Sequence, residues 1–499
     1  MNFEELVRGL PLRARSTNLD VQVTGVAYDS RQVQPGFLFV GIKGLVTDGH
    51  RFVPEAVARG AVAFLLERTL AVPEGVAWAV VPDAREALAL VSRRFFRDPA
   101  RGLNLVGVTG TNGKTTTTHL IAALCRARRP GVGLIGTIHN LVGDEVLPVR
   151  HTTPESLDLQ YLLRRMADAG VRDVVLEVSS HALTLSRVAG LRFDVAVFTN
   201  LTQDHLDFHA DLEDYFAAKS RLFGELDREA LAVVNRDDSC GPRLLEMTPA
   251  RGVTYGIREP ADVRALDINV APDGVRFTVH SALGSFPVSL RITGLFNVYN
   301  SLAAVAVGLA RGFDPEEING VLSRVRGIPG RFERVDRGQE YTVVVDYAHT
   351  PDGLENVLRA ARQVAPGRVI SVFGCGGDRD RKKRPLMGAV SARSADYTVL
   401  TSDNPRTEEP PTIIGQIEQG YREVRPDGYV VVPDRREAMY QAFQQALAGD
   451  IVVIAGKGHE DYQIIGENRF QFDDRREAAA ILESMGYGGA DEGDNPHRS

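Results

Sequence analysis

The stretch Gly107–Thr118, GVTGTNGKTTTT, carries glycines, a lysine and threonines in the order of a loop that holds nucleotide phosphates. The Walker pattern wants a glycine five places before the Gly-Lys pair. Here that place is Val108, with Gly107 one residue early. An apolar run leads into the loop and the segment HLIAALCRA follows it, so the order is strand, glycine turn, helix. Loop N–H groups and the helix dipole then face an anion, Lys114 supplies a mobile cation, and Thr115 is placed to ligate Mg²⁺. Glycine-rich turns before helices are common in themselves; the strand context together with Gly-Lys-Thr is what favours a nucleotide. Downstream, EVSSHAL supplies Glu177 and His181, and TNLTQDHLDFH supplies Asn200, Asp204, His205 and His209. Hard oxygen ligands with one or two imidazoles suit Mg²⁺ bridging phosphates better than a closed zinc site, which wants more Cys or His.

Elements must bring these residues to one edge. Apolar runs that end in small or polar residues recur at 105–110, 173–180, 193–200 and 231–238, and again at 368–380, 395–406 and 450–460. Alternating with helical patterns, they read as buried parallel strands of two doubly wound α/β sheets. Ligands in such sheets lie beyond the carboxyl ends of the strands, where Gly110, Glu177, Ser179, Asn200 and Asn235 emerge. The turn RDPARG and the Gly/Pro-bearing segment RGIPGRFERVD mark boundaries. They divide the chain into domains at 1–100, 101–330 and 331–488, with a tail, 489–499, expected to be disordered.

Composition narrows the function classes. The 499 residues, 43% hydrophobic and 25% charged, suit about three globular domains. A net charge of -7 gives no general reason to bind nucleic acid or an anionic membrane. Three cysteines, Cys125, Cys240 and Cys375, lack a disulfide or metal spacing, and the charged N-terminus resembles neither a signal peptide nor a membrane span. A cytoplasmic, monomeric protein without membrane insertion is expected.

Taken in order, GTNGKTTTT, HTTPESLDL, EVSSHAL, TNLTQDHLDFH, YFAAKSRLF, GLFNVYNSLAA, GIPGRFE, DYAHTPDGL, GCGGDRDRKKRPLM, SDNPR and GKGHEDYQ resemble the motif series of the Mur ligases from about residue 25 to about residue 475. More narrowly they are similar to the synthetases that add the third residue of the peptidoglycan stem peptide. The shifted phosphate-loop spacing is this family's own form, shared with folylpolyglutamate synthetases. The resemblance implies three α/β domains: an N-terminal UDP-binding domain, a central ATPase-like doubly wound sheet and a C-terminal Rossmann-like domain. It also implies ATP-dependent amide formation through an acyl phosphate, with UDP-MurNAc-L-Ala-D-Glu and a diamino acid as the other small-molecule substrates.

Carried over residue by residue, the resemblance puts Gly110, Thr111, Asn112, Gly113, Lys114, Thr115, Thr116, Asn300, Arg331, Asp346 and His349 around ATP. It implies Mg²⁺ at Thr115, Glu177, His205 and Lys219, with Lys219 carbamylated to N6-carboxylysine and with Lys114, Glu177, His205 and Lys219 in the catalytic set. Ser30, Thr152, Thr153, Ser179 and Arg187 match positions for the UDP-MurNAc-dipeptide. Arg379, Asp403, Asn404, Pro405, Arg406, Gly456 and Glu460 match the amino-acid site. Lysine and meso-diaminopimelate differ by one distal carboxylate, for which a guanidinium fork is the natural partner, so Arg406 points to meso-diaminopimelate. The bland alternative pairs Arg406 with Glu408 or Glu409 at a surface turn; lysine addition or a folylpolyglutamate-type ligation are the competing activities. Two segments depart from the family pattern: RKKRPLM carries an extra basic residue, and the spacing after Gly44 leaves sugar contacts beyond Ser30 unassigned.

Overall fold

The computed structural model describes residues 1–44, 47–70, 72–204 and 208–488; the predicted tail and His205 lie outside the described residues. Three sheets follow one another along the chain, with a small hairpin, Tyr462–Ile465 and Asn468–Gln471, near its end. The first sheet orders its strands Ala14–Arg15, Ala77–Val80, Ala63–Leu66, Phe37–Val40 and Gly25–Ala27, all parallel except at the first pairing. Helix Ala84–Phe95 starts where Asp83 caps the amides of Arg85 and Glu86, and it turns Ala87, Leu88 and Val91 into the core with Phe3, Leu38 and Leu65.

In the central sheet the strands Arg251–Gly256, Leu231–Asn235, Val195–Phe198, Asn104–Thr109, Asp173–Glu177 and Val132–Ile135 lie side by side and parallel. Burial on both faces explains their unbroken Val/Leu runs: one face packs on Leu120, Leu124 and Leu302, the other on Leu163, Phe216 and Phe223. Asn104–Thr109, first of these in the chain, lies between the later Asp173–Glu177 and Val195–Phe198, so the strand order, though not the strand direction, reverses beside the phosphate loop.

The sheet extends beyond the expected parallel unit. Val263–Ala271, Gly274–Ser281 and Gly284–Leu290 continue one edge and Asn140–Gly143 and Glu145–Leu147 the other, with antiparallel pairing within each wing. Gly274–Ser281 alternates buried Val275, Phe277 and Val279 with less buried residues, the pattern of a strand with one solvated face.

The third sheet runs Glu333–Val335, Thr342–Asp346, Ile451–Ala455, Val369–Phe373, Tyr397–Leu400 and Tyr429–Val431, parallel except at its first pair. Separate cores cover its two faces, Leu358 and Met387 on one side and Met439, Phe443 and Leu482 on the other. Fully buried Arg435 ties this unit together. Its guanidinium donates to both carboxylate oxygens of Asp474 at 2.8 and 2.7 Å and to the carbonyls of Ser402 and Ala455, so the charge is paired and its donors are used. All three cysteines are free and buried. Among the described residues no helix is long and apolar enough to cross a membrane.

Candidate active site

The phosphate loop leaves strand Asn104–Thr109 and enters helix Lys114–Arg128 through Gly113, whose φ of +86° favours glycine. A Cβ there would stand 2.3 Å from Asn300 Oδ1, so the loop and helix Leu295–Ala310 approach as closely as they do only without a side chain. Asn200 fixes the loop from the neighbouring strand end: its carbonyl accepts from Thr111 N at 2.8 Å and its Oδ1 from Asn112 N at 2.9 Å. Thr116 is buried in the first turn of the helix.

Two lysine amines meet at this loop. Lys114 Nζ donates to the carbonyls of Gly110 and Thr111 at 2.9 and 2.8 Å, and Lys219 Nζ, from helix Leu212–Gly224, donates to the same Gly110 carbonyl at 2.9 Å. Lys219 is 1% exposed and stands 4.3 Å from the centre of the Tyr215 ring. Burial lowers the pKa of both amines; for Lys219 burial acts first and the Lys114 charge second, and its pKa falls well below the ordinary lysine range. A polyanion at the loop would relieve this crowding of positive charge.

Glu177 ends the adjacent strand. Its carboxylate accepts from Thr115 Oγ1 at 3.1 Å and from Thr137 N and Oγ1 at 2.9 and 3.0 Å. Arg331 reaches across from the third unit, donating to Thr115 Oγ1 at 3.0 Å and lying over the Tyr347 ring. No group of three or more His, Cys, Asp or Glu gathers as a metal cage among the described residues. A hydroxyl and one buried carboxylate at the phosphate loop fit Mg²⁺, which takes few protein oxygens and completes its shell with water and substrate phosphates.

The third unit closes over the loop. Asp346 accepts from Phe332 N and Ala348 N at 2.7 and 2.8 Å, and burial raises its pKa. His349 holds the Tyr347 carbonyl through Nδ1 at 2.8 Å, and burial, then the Lys383 charge, lowers its pKa. Asp352, which sequence reasoning missed, docks the first turn of helix Pro351–Val364 directly on the loop. Its Oδ2 accepts from Asn112 Nδ2 at 2.6 Å, Thr202 Oγ1 at 2.9 Å and Asn356 Nδ2 at 3.1 Å. Replacing Asp352 by alanine removes the two interdomain bonds, a loss of about 1–2 kcal/mol and roughly tenfold in the closed population. We expect kcat to fall by about that factor, with a larger radius of gyration in small-angle scattering of the nucleotide-bound protein. Full activity in a closed variant would contradict this role.

Of the residues matched to the UDP-MurNAc-dipeptide, Thr152, Thr153, Ser179 and Arg187 are joined in a chain of contacts in the second unit, while Ser30 bonds within the first. Ser30 is buried and donates to Glu55 at 2.8 Å. Thr152 Oγ1 contacts Thr137 Oγ1 at 3.1 Å, while Thr153 donates to the Glu177 carbonyl at 2.7 Å and stands 3.3 Å from Ser179 Oγ. Arg187 donates to the Thr153 carbonyl at 3.0 Å and pairs with Glu155 at 3.4 Å, which also receives Arg85 of the first unit at 3.1 Å. Tyr28 donates to Asp158 at 2.7 Å. Glu155, Arg85 and Tyr28 were not among the expected site residues, because nothing in their local sequence shows the partner that meets them across a domain boundary.

At the far edge, Arg406 has a φ of +52°, unusual for a residue with a side chain. Its backbone is held by the hairpin, with N donating to Ile464 O at 3.0 Å and O accepting from Gly466 N at 2.7 Å. Its guanidinium donates to the Gly377 carbonyl at 2.8 Å. Glu408 does not take it: that carboxylate is engaged by Arg384 at 3.0 and 2.8 Å and by Arg381 at 3.2 Å. Arg384, from the unusual basic run, is fully buried and also holds the Gly376 carbonyl at 3.1 Å. Arg379 is exposed, and Pro405 is buried in the loop next to Arg406. Gly456 adopts φ +120°, and a Cβ there would stand 2.5 Å from Asp403 Oδ2. Asn404 is buried and donates to Glu460 at 2.9 Å.

The carboxyl ends of two sheets thus carry the candidate residues, a cationic phosphate loop on the central sheet and an arginine-bearing loop on the third, with Arg331 and Asp352 of the third unit bonded to the phosphate-loop region. Three family profiles match in order: the Mur ligase family catalytic domain over 22–96, the Mur ligase middle domain over 108–308, and the Mur ligase glutamate ligase domain over 330–458. The chain belongs to the Mur ligase family. It is 45% identical to the UDP-N-acetylmuramoyl-L-alanyl-D-glutamate--2,6-diaminopimelate ligase of Syntrophomonas wolfei, covering 97% of this chain and 99% of that one. Its identity to the protein of the same name from Geobacillus thermodenitrificans is 50%, covering 92% and 95%. A solved structure of a ligase of that name superposes with a TM-score of 0.69 at 36% identity, covering 97% and 99%.

Proposed function

We propose that the protein is the ATP-dependent ligase that joins meso-2,6-diaminopimelate to UDP-N-acetylmuramoyl-L-alanyl-D-glutamate in peptidoglycan synthesis. A carboxylate is a poor electrophile. Transfer of the γ-phosphoryl group to a carboxylate oxygen gives ADP and an acyl phosphate, and attack by the amine expels inorganic phosphate, forms the amide and releases a proton. Catalysis then consists of positioning and charge neutralisation. Lys114 and the loop amides hold the phosphates, with Asn300, Arg331, Asp346 and His349 around the rest of the nucleotide. Thr115, Glu177, His205 and the carbamate form of Lys219 would hold Mg²⁺, which neutralises phosphate charge when bound. Ser30, Thr152, Thr153, Ser179 and Arg187 bind the UDP-sugar dipeptide. Arg379, Arg406, Gly456, Glu460 and the loop Asp403–Pro405 form the amino-acid site, with 1–100, 101–330 and 331–488 as the three domains of a cytoplasmic monomer.

The observation that carries the choice of amino acid is Arg406: a guanidinium on a fixed backbone, facing carbonyls, with the nearby Glu408 held by Arg384. Phosphate release is measured with ATP, Mg²⁺ and the UDP-dipeptide, adding meso-diaminopimelate, L-lysine or neither. The reading predicts release only with diaminopimelate; preference for lysine would overturn the specificity, and release independent of the acceptor would overturn the ligation.

A further inference from the structure

Lys457, in the segment GKGHEDYQ, follows Gly456 and is fully buried. Its Nζ lies 3.3 Å from Asn404 Oδ1 and 3.4 Å from Glu460 Oε2, and it also donates to the Tyr462 carbonyl. Asn404 is the node of this cluster. Its Oδ1 accepts a second bond from Ile464 N at 2.9 Å, and its Nδ2 donates to the same Glu460 oxygen that faces Lys457, at 2.9 Å. Gln463 Nε2 adds a bond to the Asp403 carbonyl at 2.7 Å. The Asn404 amide oxygen therefore accepts two bonds and one amide N–H donates inside the protein, and the hairpin, the loop 403–406 and Glu460 are fastened together around one buried ammonium.

We propose that Lys457 is the positioning residue that sets the amino-acid-selecting loop, fixing Asn404 and the hairpin behind Arg406 and keeping Glu460 ionised to receive a substrate ammonium. The inference rests on the proposed ligase reading. Two carboxylates, Asp403 and Glu460, share this region. The other groups facing Glu460 are Lys457, Tyr347, Tyr462 and Arg435, and Arg435 is already committed to Asp474. Burial, then the Asp403 charge, raises the pKa of Glu460, and the Lys457 charge opposes both. Without that charge, protonation of Glu460 moves toward neutral pH and the acid form cannot pair with a cation.

Lys457→Met and Lys457→Arg are compared with the wild-type protein for KM of ATP and of meso-diaminopimelate, from pH 6 to 9, alongside thermal unfolding. For Lys457→Met we expect KM for diaminopimelate to rise by roughly tenfold or more and KM for ATP to stay within about twofold. The acidic limb of kcat/KM for diaminopimelate should move to higher pH, and Lys457→Arg, which keeps a cation, should return that limb toward its wild-type position. Equal losses for both substrates, or an unmoved acidic limb in a folded variant, would overturn the role. Should Lys457→Met not fold, Lys457→Gln, which keeps a donor without the charge, decides by the same shift. Wild-type protein that does not use diaminopimelate would overturn the ligase reading instead, so the two failures are distinguishable.

Discussion

Lys219→Ala is expected to lower kcat by roughly 10²–10³-fold, about 3–4 kcal/mol, the scale set by loss of one preorganised electrostatic group. The variant should leave the fold intact, because among the described residues the side chain makes one hydrogen bond, to Gly110 O at 2.9 Å, in a helix otherwise anchored by Tyr215, Phe216, Leu222 and Phe223. The size of the effect follows from what the amine can become. Burial and the adjacent Lys114 favour the neutral amine, and a neutral amine is the form that attacks carbon dioxide. In that step a nitrogen–carbon bond would form and one proton would be lost, replacing the neutral amine by an anion with two oxygen ligands beside Lys114. Because a proton is released, carbamate formation weakens as pH falls, so added bicarbonate should raise activity most on the acidic side. With ¹³C-bicarbonate, a carbamate resonance should appear in the wild type and be absent from Lys219→Ala. Activity within about tenfold of wild type in the alanine variant would contradict a catalytic place for Lys219.

Arg406→Ala should raise KM for meso-diaminopimelate by roughly a hundredfold, about 3 kcal/mol, as expected for truncating one partner of a buried, hydrogen-bonded charge pair. KM for ATP should stay within about twofold, since Lys114, Thr115 and Arg331 meet at the phosphate loop and, among the described residues, make no hydrogen bond with Arg406. Arg406→Lys should recover only part of the loss, because an ammonium is a point charge and cannot make the paired bonds of a guanidinium. The discriminating comparison is with L-lysine, whose distal carbon has no carboxylate: its poor use should not worsen in parallel. Equal losses of diaminopimelate and ATP use would assign Arg406 to holding the loop.

How far the sequence predicts this arrangement depends on whether a feature is local. The unbroken Val/Leu runs announce the parallel strands, because burial on both faces leaves no polar alternation, and the phosphate loop is legible from its strand context together with Gly-Lys-Thr, although its glycine spacing departs from the Walker pattern. Glu177 and Asn200 are legible as groups emerging at strand ends. The antiparallel wings are less so, since Gly274–Ser281 and its neighbours are half-solvated strands, without an unbroken apolar run, that extend an already complete parallel unit. What local sequence does not reveal is pairing between distant segments. Asp352 reads as an ordinary first-turn acid of a helix, and only its contact with Asn112, 240 residues away, gives it a role. Glu155 reads as a solvated acid and is buried between Arg85 and Arg187. Lys457 lies in the motif GKGHEDYQ, but its sequence does not show the Asn404 and Glu460 contacts that make it the buried cation behind the selecting loop.

The most direct test of the central claim follows oxygen. UDP-N-acetylmuramoyl-L-alanyl-D-glutamate labelled with ¹⁸O in its acceptor carboxylate is incubated with the protein, ATP, Mg²⁺ and meso-diaminopimelate, and the released phosphate and UDP-tripeptide are weighed by mass spectrometry. Activation as an acyl phosphate predicts one ¹⁸O in each phosphate formed and one retained in the new amide carbonyl, with product dependent on diaminopimelate. Unlabelled phosphate, or phosphate released without tripeptide, would contradict carboxylate activation and leave ATP hydrolysis alone at the loop.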